Sequence, residues 1–394
     1  MREDIKDIKK DSLWANLALM VLYPYSFLTG LTAMQGVHII FPAFALSVLV
    51  LVIIGLRCNN KKLFKRYISL LVLVIIFLFL NIIFVGNSDI KNVIYGAFLF
   101  PSIAALMFFY KVRYWVAIVL FYSVAFFFGS YIYQNGPFIS EETELLVNSR
   151  NYVSYFVVLY SLPYFIHCFD YDKIPSILVP TICTVIAVFA IGRSGIIVSL
   201  GLLVGVLYLK MMQKSRIRVL YRVFFITLIF ILLFVGAGVD FIDTYFSRFS
   251  EIGMNDAGRM PSWSEYTISM INPINLLTGT RIESLNYTMK YLNGSLHNSF
   301  FTLHAREGLI GLVLIVYMFK GFWNLFKSKC YTLVIVFMVL LFKGLTDADM
   351  GGTYSGGDIY VYFLVLVYLF YNNKHIKYER KSVSAIPTSV PSNS

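Results

Sequence analysis

Two arginines in this sequence lie beside residues that typically begin or end helices. Arg193 stands in the turn Gly192-Arg193-Ser194-Gly195, and Arg259 shortly precedes the capping-box pattern Ser262-x-x-Glu265. The free N–H groups and the dipole at a helix N-terminus favour an anion. A guanidinium adds a planar fork of donors that suits a phosphate. The two segments therefore predict a site for a phosphate or pyrophosphate group.

The next group that could do chemistry is His297, which lies among residues able to cap a helix. Asn293, Ser295 or Asn298 can begin a helix here, which places His297 in or near its first turn. The dipole would then disfavour the imidazolium and keep the ring neutral, as a general base requires. His304, one heptad later, is the competing histidine. Either histidine can instead be an interfacial residue that bonds to a backbone carbonyl.

A carboxylate could support such a base. Asp347 follows the stretch Gly344-Leu345-Thr346, and a carboxylate at the membrane edge can orient a histidine and stabilise its protonated form. Asp347 and Asp349 could instead bind a cation, although two acids without further ligands do not define a metal site. The auxiliary candidates are three further arginines, each of which could simply pair with a nearby acid: Arg150, Arg281 and Arg306.

These residues must be positioned by an unusually apolar chain. Of its 394 residues, 58% are hydrophobic and only 14% are charged, whereas a soluble domain is about a quarter charged. Apolar runs recur that match the roughly 20 residues a helix needs to cross a bilayer. The composition excludes a soluble enzyme, a secreted disulfide scaffold and a disordered protein. It predicts an all-α polytopic membrane protein with twelve spans: 13–31, 38–56, 68–85, 92–110, 115–134, 151–169, 175–192, 194–211, 223–239, 308–326, 330–345 and 358–373.

The distribution of basic residues predicts the orientation. With both termini in the cytoplasm, 24 of the 33 Lys and Arg residues fall on the cytoplasmic side, as the positive-inside rule requires. The basic balance is thus a topology signal, and no nucleic-acid partner is implied. The long connection 240–307 then lies outside, before the last three spans. Because the spans hold few ionisable residues, we expect the chemistry at this external surface.

The predicted organisation is one transmembrane domain, 1–381, with the loop 240–307 inserted between spans nine and ten. Residues 382–394 are rich in Ser, Pro and Val and predict a disordered cytoplasmic tail. The four cysteines show no metal-ligand spacing.

Taken together, these motifs resemble the O-antigen polymerase/O-antigen ligase superfamily, the Wzy- and WaaL-type integral-membrane glycosyltransferases. The resemblance covers the whole topology, and its specific part runs from Arg193 to Gly311 and over Gly344–Asp347. The matching positions are Gly192-Arg193-Ser194-Gly195, Gly258-Arg259, Trp263, Asn272-Pro273, Gly279, His297-Asn298 and Gly308-x-x-Gly311.

The resemblance implies a GT-C-like fold and an enzyme that needs neither metal nor cofactor. Its substrates would be undecaprenyl-pyrophosphate-linked glycans at the periplasmic face of the bacterial inner membrane, and a chain-length regulator would be a further partner. Arg193 and Arg259 would bind the donor pyrophosphate, His297 would deprotonate the acceptor hydroxyl, and Asp347 matches a ligase aspartate. The sequence around His297 favours a polymerase, which is the activity we predict, whereas Gly344–Asp347 favours the alternative, a ligase. A lipid-linked oligosaccharide flippase is a third possibility, which the charge-poor spans and the one-sided loop disfavour.

Overall fold

The structure is a computed structural model that describes residues 2–28, 37–86, 90–135, 151–190, 193–213, 259–292, 295–346 and 356–384. Within these ranges the chain forms helices and no β-strand. Its first half comprises α1 (Arg2–Ile8), α2 (Leu13–Leu28), α3 (Val37–Arg57), α4 (Lys61–Phe84), α5 (Ile90–Ile94), a π-helical turn (Tyr95–Leu99), α6 (Phe100–Phe109), α7 (Tyr114–Asn135), α8 (Asn151–Asp170), α9 (Leu178–Phe189) and α10 (Arg193–Gln213).

The second half begins with four short helices and ends with three long ones. They are α11 (Arg259–Ser269), α12 (Pro273–Thr278), α13 (Asn286–Leu292), α14 (Ser299–Glu307), α15 (Leu309–Lys327), α16 (Tyr331–Thr346) and α17 (Asp358–Ser384). A 3₁₀ turn at Ile282–Ser284 joins α12 to α13. We call Arg259–Glu307, as far as it is described, the loop segment.

Several helices are long and apolar enough to cross a membrane. Among the described residues seven qualify: Ile40–Arg57, Lys61–Phe84, Ile90–Phe109, Tyr114–Gln134, Tyr152–Asp170, Ser194–Met212 and Leu309–Lys327. Four shorter apolar helices accompany them: Leu13–Leu28, Leu178–Phe189, Tyr331–Thr346 and Asp358–Asn372. The chain is thus an all-helical polytopic membrane protein in its described part.

The predicted spans agree with these helices, with one outside the described residues. Eleven overlap a described helix, while the ninth, 223–239, lies outside the described part. The last helix continues to Ser384 and so includes the first residues of the predicted tail. The number of twelve spans and the GT-C-like arrangement remain predictions.

At one end of the bundle, two ion pairs tie the chain around α1 to the end of α8. Lys9 Nζ contacts Asp170 Oδ1 at 2.5 Å, and both side chains are fully buried. The Val112 N–H donates to the other carboxylate oxygen of Asp170 at 3.0 Å. Lys6 pairs with Asp172 just beyond α8. Lys9 and Asp170 therefore compensate each other's charge in the buried interior.

The loop segment lies at the opposite end, which we call the loop end. There α4 ends and α15 begins. Asn81, in the last turn of α4, donates from Nδ2 to the carbonyls of Thr278 at 2.7 Å and Ala305 at 2.8 Å. Its side chain is completely buried. One amide thus ties α12 and α14 to a membrane-spanning helix.

Candidate functional site

Arg259 is the first residue of α11, and its side chain is half-buried. The helix begins earlier than the capping-box pattern predicts. Ser262 lies inside α11 and does not cap it. Ser262 Oγ instead bonds with Thr288 Oγ1 at 2.7 Å. Arg259 therefore stands at a helix N-terminus, in the surroundings predicted to favour an anion.

Glu265, the other half of the predicted capping box, caps a different helix. Its carboxylate accepts from the N–H groups of Tyr287 and Thr288 at 3.2 Å, in the first turn of α13. The acid therefore offsets the dipole of α13 rather than that of its own helix. A Ser-x-x-Glu spacing fits both arrangements, so the sequence alone does not distinguish them.

His297 directly precedes the N-cap of α14, near the first turn as the capping residues predict. Asn298 is the N-cap, and its Oδ1 accepts from the N–H groups of Phe300 at 2.9 Å and Phe301 at 3.2 Å. His297 itself has a φ of 44°, in the left-handed region. Its N–H donates to Ser295 Oγ at 3.3 Å. Such a conformation costs a non-glycine residue of order 1–3 kcal/mol and is concentrated at functional sites.

Trp263 links α11, the helix that begins with Arg259, to the backbone next to His297. Trp263, one turn after Arg259 in α11, donates from Nε1 to the carbonyl of Leu296 at 2.8 Å. Leu296 directly precedes His297. The indole also packs edge-on against Phe301 of α14, with the ring centroids 6.1 Å apart. The helix that begins with Arg259 is therefore fixed against the backbone that presents His297.

His304 has a different environment from His297. It is completely buried, and its Nδ1 accepts from the hydroxyl of Tyr266 at 2.6 Å. Its Nε2 donates to the carbonyl of Leu276 at 3.0 Å. Burial lowers the pKa of His304, although the bond to Leu276 opposes this shift. With both ring nitrogens occupied, His304 is a neutral structural link among α11, α12 and α14, as the interfacial alternative proposed.

The second predicted anion segment lies where α8, α10 and α16 meet. The backbone of Arg193 begins α10, whereas its side chain lies outside the described part of the structure. The next residue, Ser194, accepts a hydrogen bond at its Oγ from Lys343 Nζ at 2.8 Å. A Cβ on Gly195 would stand 1.8 Å from Ser154 Oγ, so only glycine lets α8 approach this closely.

Lys343 is a candidate site residue that the sequence motifs do not predict. It lies in the last turn of α16 and is 1% exposed. An ionisable residue inside an apolar span suggests a functional site. This feature of the sequence is the one that points to Lys343. Its buried side chain lies next to Ser194, the residue that follows Arg193.

Of the remaining predicted site residues, two lie within the part of the chain that the structure describes and two lie outside it. Arg281 is 65% exposed and pairs with Glu283 at 3.7 Å, as the simple pairing alternative proposed. Arg306 is half-buried in the last turn of α14. Arg150 and Asp347 lie outside the described residues; in the sequence Arg150 precedes α8 and Asp347 follows α16.

A buried acidic group occupies the end of α14. Glu307 is completely buried, and neither carboxylate oxygen has a hydrogen-bond partner in the described part of the chain. Burial raises the pKa of Glu307 well above its usual range, nearby Asp358 raises it further, and Arg306 opposes the shift. The protonated form of Glu307 is thus favoured at this position.

Two of the predicted glycines are required by backbone geometry. Gly279 has a φ of 93°, and a Cβ there would stand 2.2 Å from the carbonyl oxygen of Ala305. Gly308 has a φ of 61°, and its Cβ would stand 2.2 Å from the carbonyl oxygen of Leu277. These positions let α12 lie directly against the junction of α14 and α15.

The structure thus joins the helix that begins with Arg259 to the backbone beside His297, while Lys343 and the start of α10 meet separately at the same end of the bundle. No protein-family model matches the chain, and a search of curated proteins finds no match either. Among the described residues no group of three or more His, Cys, Asp and Glu side chains could hold a metal ion.

Proposed function

We propose that the protein is an integral-membrane glycosyltransferase of the O-antigen polymerase type. It joins undecaprenyl-pyrophosphate-linked oligosaccharide repeat units at the periplasmic face of the bacterial inner membrane and releases undecaprenyl pyrophosphate. Both termini are cytoplasmic, and the loop end faces the periplasm. The reaction needs neither metal nor cofactor, and a chain-length regulator is a further partner.

The observation that carries this proposal is the hydrogen bond from Trp263 to Leu296. It supports a common site for Arg259 and His297, because it holds the start of α11 against the backbone beside the histidine. An anion-binding group and a base are the two functions that transfer from a pyrophosphate donor requires. The resemblance noted in the sequence gives both residues these roles.

The chemistry assigned to the site is a displacement at the anomeric carbon of the donor sugar. The bond from this carbon to the pyrophosphate oxygen breaks, and a bond to the acceptor hydroxyl oxygen forms. The pyrophosphate keeps the electron pair, so negative charge grows where Arg259 and Arg193 stabilise it. His297 accepts the proton of the hydroxyl, and Asp347 orients the ring.

An O-antigen ligase would use the same machinery with lipid A core as its acceptor. The two activities differ in what a strain lacking the protein accumulates. If the protein is a polymerase, its lipopolysaccharide should consist of core bearing a single repeat unit. Bare core together with accumulated lipid-linked polymer would instead show a ligase. A normal ladder of long chains would exclude both activities.

A further inference from the structure

An uncharged stretch interrupts the loop segment. Residues 267–280 contain no Asp, Glu, Lys or Arg, although Glu265 precedes and Arg281 follows them. They form the end of α11, a turn and the whole of α12. Five apolar side chains in this stretch are substantially exposed: Ile268 (63%), Ile271 (78%), Ile274 (63%), Leu276 (40%) and Leu277 (46%). An exposed apolar surface of this kind typically contacts a membrane or another apolar partner.

The depth of this stretch is fixed by α4. The carbonyl of Thr278, the last residue of α12, accepts from Asn81, which lies one turn before the end of a candidate membrane span. The final residues of that span, Ile83 and Phe84, are themselves 70% and 67% exposed. The exposed side of α12 therefore lies at the level of a lipid-facing helix end.

A second candidate membrane span, α15, places the end of α12 at the same level in the membrane. α15, another candidate membrane span, starts at Leu309, directly after Gly308. The Cβ position of Gly308 lies 2.2 Å from the carbonyl oxygen of Leu277. The C-terminal end of α12 thus touches the first turn of a span, as well as the last turn of another.

The backbone carbonyls at the end of α12 accept hydrogen bonds from protein side chains and do not need water. The carbonyls at the end of a short helix ordinarily bond to water, but here protein side chains serve them. His304 donates to the carbonyl of Leu276 at 3.0 Å, and Asn81 donates to that of Thr278 at 2.7 Å. Backbone groups in contact with lipid must be satisfied in this way.

The start of α12 is satisfied internally as well. Asn272 Oδ1 accepts from the N–H of Ile274 at 3.0 Å, and Asn275 Nδ2 donates to the carbonyl of Ser269 at 3.0 Å. The polar side chains of the stretch are therefore turned to its own backbone, while the apolar ones remain exposed.

We propose that residues 267–280 form an interfacial membrane anchor that inserts Ile268, Ile271, Ile274 and Leu277 among lipid acyl chains at the loop end. The bilayer is the occupant because the face is uncharged, apolar and level with two membrane-spanning helices. The anchor holds α11 and α14 close to the lipid surface. This inference rests on the membrane architecture and does not depend on the proposed glycosyltransferase function.

The test uses single cysteines in full-length protein whose four native cysteines are replaced. Ile271→Cys and Ile274→Cys are labelled separately with an environment-sensitive fluorophore, and Glu283→Cys, on the exposed 3₁₀ turn, is the matched control. The proteins are reconstituted into vesicles. Quenching by spin-labelled lipid and by aqueous iodide is then compared at each position.

At positions 271 and 274 we expect blue-shifted emission and a ratio of lipid to iodide quenching several-fold above that at position 283. Equal iodide quenching at all three positions would overturn the proposal, because the face would then lie in water. Protection from both quenchers would also overturn it, since a second copy or another protein would cover the face. Reading positions 271 and 274 separately keeps the test valid if one variant does not fold.

Discussion

The two histidines of the loop segment differ in what their surroundings leave them able to do. His304 has both ring nitrogens occupied, by Tyr266 and by the carbonyl of Leu276, so it is committed to holding the fold. His297 is half-buried and has a left-handed conformation directly before the capped start of α14. Because the sequence already predicts His297 as a general base, backbone strain at this residue further supports a functional role.

At the residue scale, replacing Arg259 should weaken donor binding. Arg259→Ala removes a charge-assisted contact worth roughly 1.5–3 kcal/mol, or about one to two decades in affinity. Arg259→Lys should restore binding only in part, because an ammonium lacks the two-pronged fork. Binding of lipid-linked donor to purified protein measures both. Arg281→Ala, which removes an exposed arginine of the same segment, is the control and should bind normally.

Glu307 should give the protein a pH-dependent stability. Burial raises the pKa of this carboxyl, so the folded protein keeps a proton that the unfolded chain has lost. The free energy of unfolding must then fall as the pH rises from about 4.3, the unfolded value, through the folded-state pKa. Glu307→Gln stays neutral and should remove this slope, which makes the variant the more stable protein at neutral pH.

Thermal unfolding in detergent between about pH 5 and 8 measures this difference. Glu283→Gln, at an exposed carboxylate, should leave the slope unchanged. A Glu307→Gln variant that loses stability relative to the unmodified protein as the pH rises would mean that Glu307 is ionised in the fold.

At the scale of elements, the sequence specified the long helices better than the short ones. Runs of apolar residues predict a membrane helix through composition alone, and eleven of the twelve predicted spans accordingly overlap a described helix. The loop segment depends on tertiary contacts instead. Glu265 caps α13 because the fold brings α13 to it, and no local pattern encodes that partner.

The same difference between local patterns and tertiary contacts explains which site residues could be predicted from the sequence. Arg259 and His297 stood out because their neighbours are capping residues, whereas Asn81 and Lys343 act on partners far along the chain. Their bonds to Ala305 and Ser194 could be recognised only after folding.

Asn81 should be the residue that holds the loop segment to the bundle. Asn81→Ala leaves the carbonyls of Thr278 and Ala305 without their donor, at a cost of about 1–3 kcal/mol for each buried group. We expect faster proteolysis of the loop segment and a lower melting temperature. Ser69→Ala, at an exposed position of the same helix, should change neither. Unchanged proteolysis in Asn81→Ala would show that other contacts hold the segment.

At the scale of the whole molecule, the basic residues predict that the loop end faces the periplasm. Single cysteines at Ser264 and Asn59, both exposed, lie in the loop segment and in the connection between α3 and α4. In intact cells an impermeant thiol reagent should label only the cysteine at 264, in a background without native cysteines. Labelling at 59 alone would reverse the orientation and place the site in the cytoplasm.

The central claim is that this end of the bundle transfers glycans from a lipid pyrophosphate with His297 as the base. The most direct measurement incubates purified protein with undecaprenyl-pyrophosphate-linked repeat units and a chelator, and follows chain growth and the release of undecaprenyl pyrophosphate. Unmodified protein should form polymer, and His297→Gln should be slower by roughly 10²–10⁴-fold while still binding donor. Normal polymerisation by His297→Gln, or none by unmodified protein once the chelator is added, would contradict the claim.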